Sequence, residues 1–80
     1  MESKAYQIDI SALSQEQKRE FREDLDGACF TVIEHYGQSG GVDTLLVIWN
    51  SPEDFNSLIR IPGECVAQDV TGRDLTKFPF

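Results

Sequence analysis

The chain is 80 residues long, 40% hydrophobic and 26% charged, which are the proportions of one small folded domain rather than of a disordered segment. Fourteen acidic against seven basic residues leave a net charge of −7. That argues against direct binding of bare nucleic acid and of an anionic membrane surface, both of which need a basic footprint; it permits a partner protein with a basic surface or mimicry of a nucleic acid's charge, and plain solubility is its ordinary role.

Two cysteines, Cys29 and Cys65, are too few for the disulfide framework of a small secreted domain. The opening stretch MESKAYQIDI lacks the basic and apolar pattern of a signal peptide. No apolar run approaches the ~18 to 20 residues of a membrane helix. The expectation is a cytoplasmic protein with free thiols, organised as a single domain over residues 1–80 with a tail at 72–80.

In chain order, AYQIDI alternates, with Tyr6, Ile8 and Ile10 on one face and Ala5, Gln7 and Asp9 on the other, as in a half-buried strand. SALSQEQKREFREDLDG reads as a helix. Ser11 or Ser14 can cap it; from Ser14, Gln17 three residues on completes a capping-box pattern, and Gly27 is a natural stop. Its apolar stripe is thin: Leu13, Phe21 and Leu25. Its charges segregate, with Glu16, Glu20, Glu23 and Asp24 on one flank and Lys18, Arg19 and Arg22 on the other. Ion pairs Arg19–Glu23 and Arg22–Asp26 are expected at four-residue spacing.

ACFTVIEHY is a second strand, GQSGG a hairpin tip and VDTLLVIWN the returning strand. SPEDFNSLIRIPG starts as a helix, with Ser51 as cap, Pro52 at the first helical position and acidic residues in the first turn. Phe55, Leu58 and Ile59 would be its buried stripe, and Pro62 and Gly63 its end. ECVAQDVT is a weaker strand, and GRDLTKFPF a tail with Leu75, Phe78 and Phe80 as large apolar residues.

The order strand, helix, strand, strand, helix, strand predicts an α+β domain of the ferredoxin-like βαββαβ type, a four-stranded antiparallel sheet with two helices on one face. The first and third strands would be central. Cys29 and Cys65 would then lie near opposite edges, about three strand spacings or ~14 Å apart, beyond the ~7 Å that a disulfide spans. No family is recognised by motif, and the architecture carries no chemistry of its own.

The third strand poses the main question. Leu45, Val47 and Trp49 alternate with Leu46 and Ile48, so it is apolar on both faces although the helices cover one. If Leu45, Val47 and Trp49 meet the helices, then Leu46, Ile48 and either Cys29 or Phe30 lie on the open face. A contiguous exposed apolar area marks an interaction site. Its covering can be a second copy in a homodimer, the chain's own tail, or another protein; a plainer alternative is that mixed apolar strands are imprecise patterns and little is exposed.

Candidate chemistry is thin. Cys29 and His35 share a strand face, but their separation of ~20 Å in an extended strand rules out a dyad within one chain. His35 reads as a solvent-facing residue at the strand end. One histidine and two distant cysteines cannot make a structural zinc site, and nothing makes Asp9, Glu34, Asp43 and Asp69 converge on a hard cation. GQSGG feeds a strand rather than a helix N-terminus and has no lysine, so it is not a phosphate loop. No catalytic residue, cofactor or metal is expected.

The expected function is therefore binding: a small acidic module that regulates or inhibits a larger protein or complex by occluding its surface. Leu46, Ile48, Phe78 and Phe80 would anchor the contact. Glu16, Glu20, Glu23 and Asp24 would steer a basic partner, or would simply be a solvated helix face. Compactness, acidity and the lack of catalytic groups also suit an inhibitor encoded by a phage or mobile element. The alternative is a dimeric α+β barrel enzyme or small-ligand binder with His35, Tyr36 or Trp49 lining a pocket between sheet and helices.

Overall fold

The computed structural model describes residues 3–50 and 53–80. In chain order it has strand β1 (Lys4–Asp9), helix α1 (Gln15–Gly27), strands β2 (Thr31–Tyr36) and β3 (Val42–Trp49), helix α2 (Phe55–Leu58), strand β4 (Val66–Asp69) and a 3-10 turn at Leu75–Lys77. The strands form one antiparallel sheet in the order β2-β3-β1-β4, so β1 and β3 are central as expected. The α+β class and the four-stranded antiparallel sheet stand.

Helix α1 begins where the capping pattern places it. The Gln17 amide donates to Ser14 Oγ at 3.1 Å, and the Ser14 amide donates back to Gln17 Oε1 at 2.8 Å. Its end differs from expectation. Gly27 is the last helical residue rather than the stop, and Cys29, not a glycine, takes the left-handed conformation with φ 63°. The Cys29 amide then reaches Asp26 O and the Phe30 amide reaches Leu25 O, which satisfies the last carbonyls and aims Phe30 into the core.

The second helix is reduced to one turn. Asp54 precedes it, and the expected cap at Ser51 and Pro52 lies outside the described residues. Ile59 is already extended, at φ −139° and ψ 139°. Pro62 disfavours helical geometry at the residue before it, and an extended run lets Ile59 and Ile61 both reach the core.

The first face of the sheet carries the main core. Ile8, Ile10, Leu45, Val47 and Trp49 from the central strands pack with Leu13, Phe21 and Leu25 of the α1 segment, with Phe30, and with Phe55 of α2. Both helices thus cover the same face. Tyr6, Phe30, Trp49 and Phe55 form an aromatic cluster with ring centroids 5.2–5.6 Å apart. Phe30 belongs here, so neither Cys29 nor Phe30 lies on the open face, contrary to expectation: Phe30 is buried against the helices, and Cys29 is exposed at the turn.

The second face answers the question posed by β3. Leu46, Ala5 and Val70 are fully or almost fully buried, with Ile48, Leu75 and Phe78 packed against them. The tail provides the cover. The two thiols are free.

Candidate functional site

The cover is built from short, local devices. Val70 continues the line of β4 by donating its amide to Ala5 O at 2.9 Å. Asp69 accepts from the Thr71 amide at 2.9 Å, and Asp74 accepts from the Thr76 amide and hydroxyl at 3.1 and 2.6 Å, which starts the 3-10 turn. Gly72, at φ 85°, lets the chain reverse between them. Leu75 and Phe78 then drop onto the sheet.

A clamp follows at Gln7. Its Oε1 accepts from the Phe80 amide at 2.6 Å, and its Nε2 donates to Phe80 O at 3.2 Å. The Arg73 guanidinium lies 5.6 Å from the centre of the Phe80 ring. Nothing in the periodicity of AYQIDI singled out Gln7. The signal that could have found it is its position, an amide at the middle of a central strand on a face that otherwise carries apolar groups.

His35 belongs to the same face and is not merely a solvent-facing strand end. A bulge between His35 and Tyr36 leaves Asp43 as the extra residue of β3, and its carboxylate lies 2.9 Å from His35 Nδ1. The His35 ring meets Phe78 edge-on, with centroids 6.1 Å apart. The hydrogen bond from His35 holds the Asp43 carboxyl below its ordinary pKa.

The register shows what the tail leaves uncovered. Ile33, Leu46, Gln7 and Gln68 form one row across the second face. Leu46 has no exposed surface, so it is a core residue beneath the tail and not a ready anchor for a partner. Ile48 is half-buried. Phe78 is half-buried as well, while Phe80 keeps 38% of its surface exposed. Ile33 on edge strand β2 is 45% exposed, and Val66 on edge strand β4 is 69% exposed. Strand periodicity alone does not single out these two.

Glu16, Glu20, Glu23 and Asp24 are all exposed on α1. The ion pairs around them are sparse. Arg19 reaches Glu16 at 3.9 Å rather than the expected Glu23, and Arg22 pairs with Asp26 at 3.1 Å as expected and also with Glu34 at 3.2 Å. Helix α1 packs on the first face of the sheet, and the tail packs on the second. The four carboxylates and the group Leu46, Ile48 and Phe78 therefore occupy opposite layers of the domain. The sequence held this result already: a helix that covers one face cannot share a flat surface with residues pointing from the other.

Between α1 and the sheet there is a cleft of about 290 Å³ with Ile10, Val42 and Leu45 among its lining. His35, Tyr36 and Trp49 do not line it; Trp49 instead borders a largely polar depression with Cys29 and Leu58. Among the described residues no group of three or more His, Cys, Asp or Glu converges to hold a metal ion, and no helix is long and apolar enough to cross a membrane. Comparison of the chain with family models, with curated proteins and with solved structures found no match.

Proposed function

We propose that the chain is a protein-interaction module whose contact surface is the tail-covered face of the sheet. The observation that carries this reading is the composition of that surface. Ile33, Phe80 and Val66 are exposed on a face whose interior is apolar and whose cover is a short strap clamped at its end by the Gln7 amide. A partner would bury Phe80 and Ile33 as anchors, with Phe78 and Ile48 behind them. Occlusion of a surface on a larger protein, as a regulator or inhibitor, is the mechanism this geometry suits. Two free thiols fit a reducing compartment such as the cytoplasm.

The acidic side of α1 has a different role in this reading. Lying in the other layer, Glu16, Glu20, Glu23 and Asp24 contribute to the overall field that draws in a basic partner, not to the contact itself. Their substitution by lysine should slow association and weaken its salt dependence while leaving dissociation nearly unchanged.

A photo-crosslinking residue tests the reading directly. Placed at position 80 it should trap a partner protein, and placed at position 20 it should not. Trapping at position 20 alone, at both positions equally, or at neither overturns the assignment of the contact to the tail face.

A further inference from the structure

The cleft beneath α1 differs in character from the rest of this acidic surface. Three of the seven basic residues, Lys18, Arg19 and Arg22, line it. Glu23 and Glu34 are the carboxylates in its walls, so the lining carries a net charge of plus one in a chain of net charge −7. Its floor is apolar, from Ile10, Val42 and Leu45. Its volume of about 290 Å³ lies at the lower edge of the range for small-molecule sites.

The donors in it are not equivalent. Arg22 is committed to Asp26 and Glu34 at 3.1 and 3.2 Å, which raises its pKa further, chiefly through the Asp26 hydrogen bond, and fixes one wall. Lys18 and Gln15 have no acceptor for their side-chain nitrogens among the described residues. Both reach the same place. A Cβ built on Gly41 would stand 3.2 Å from Gln15 Nε2 and 3.8 Å from Lys18 Nζ. An ammonium and an amide N–H thus converge at the hairpin end of an apolar trough, at a backbone position where the absence of a side chain leaves them room.

We infer that this cleft binds a small monocarboxylate with an apolar body, its carboxylate held by Lys18 Nζ and Gln15 Nε2 beside Gly41 and its hydrocarbon part laid on Ile10, Val42 and Leu45. A single negative charge matches the lining. A dianion such as a phosphate monoester would meet the repulsion of Glu23 and Glu34, with only Arg19, which is exposed and leans toward Glu16 at 3.9 Å, as a further cation of the lining. The inference does not rest on the protein-binding reading, since the cleft and the tail lie on opposite faces of the sheet.

The test is a titration of the isotopically labelled chain with hexanoate and, separately, with hexanol, followed by amide and methyl chemical shifts. Saturable shifts of Gly41, Val42 and Leu45 with hexanoate, weakened at high salt and absent with hexanol, support the site. Lys18→Met keeps the stem of the side chain and removes the charge, so it should weaken binding about tenfold, the loss of roughly one charge-assisted hydrogen bond. Gly41→Ala should weaken it too by crowding the Gln15 amide, with the fold checked from the same spectra. No saturable shift in the millimolar range, equal response to hexanol, response confined to the tail face, or full binding by both variants would overturn the proposal.

Discussion

The two faces of this sheet are covered by different means. On one, Phe21 and Leu25 of α1, Phe55 of α2 and Phe30 interlock with Ile8, Leu45, Val47 and Trp49, and four aromatic rings stack or meet edge-on. On the other, Ala5, Leu46 and Val70 lie under Leu75 and Phe78, and the strap is held by the Gln7 clamp and by local turns at Asp69 and Asp74. The first core draws on segments spread along the chain and cannot come apart piece by piece. The second depends on one segment at its margin. Local opening follows the weaker, more exposed set of contacts, so the tail face should open well before the molecule unfolds.

The largest effect that separates the two faces is expected at their central aromatic residues. Phe55 is buried among three other rings, and Phe55→Ala should cost about 3–5 kcal/mol, most of the stability of so small a domain. Circular dichroism and urea titration would then find a urea midpoint shifted close to zero denaturant. Phe78 is half-buried, and Phe78→Ala should cost only about 1–2 kcal/mol while exposing Leu46 and leaving the environment of Trp49 unchanged. Equal losses from the two substitutions would erase the distinction between the faces.

A smaller effect, of opposite sign, sits at the end of α1. Cys29 holds a left-handed conformation that costs a side chain about 1–2 kcal/mol, of which glycine's greater freedom in the unfolded chain gives back a part. Cys29→Gly should therefore raise stability by about 0.5–1 kcal/mol, read as a higher urea midpoint with an unchanged slope. A lower midpoint would mean that the thiol makes a contact worth more than the strain.

These contrasts also mark what the sequence could disclose. The capping box at Ser14 and Gln17 was legible because its partners are three residues apart, and the two-faced character of β3 was legible because side chains alternate strictly along a strand. The brevity of α2 was not: the acidic residues and the Phe55–Ile59 spacing promise a longer helix, and the burial of Ile59 and Ile61 in extended geometry is a tertiary preference that overrides them. Nor could periodicity choose among tail, second copy and partner as the cover for Leu46, because all three would bury the same residues. The clamp at Gln7 joins residues 7 and 80, and no local pattern reports a contact across that distance.

The same difference between the faces should appear in acid. The aspartates drawn below the ordinary pKa of 3.8 are Asp43, through its hydrogen bond from His35; Asp69, through the Thr71 amide and then its hydroxyl; and Asp74, through the Thr76 hydroxyl and then its amide. All three belong to the tail face or the turns that serve it. A carboxylate whose folded pKa is depressed stabilises the fold fully above its unfolded value, and that contribution fades as pH falls from about 3.8 through the lower folded value. Asp74→Asn keeps an oxygen to accept from Thr76 but removes the charge that strengthens the bond. The urea midpoint of the native chain should exceed that of Asp74→Asn at pH 6, and the gap should narrow as pH falls below 3.8, because the protonated aspartic acid is no better an acceptor than the amide. A gap of constant size across that range would place the role of Asp74 in geometry alone, and the strap would no longer be the part of the molecule that acid loosens first.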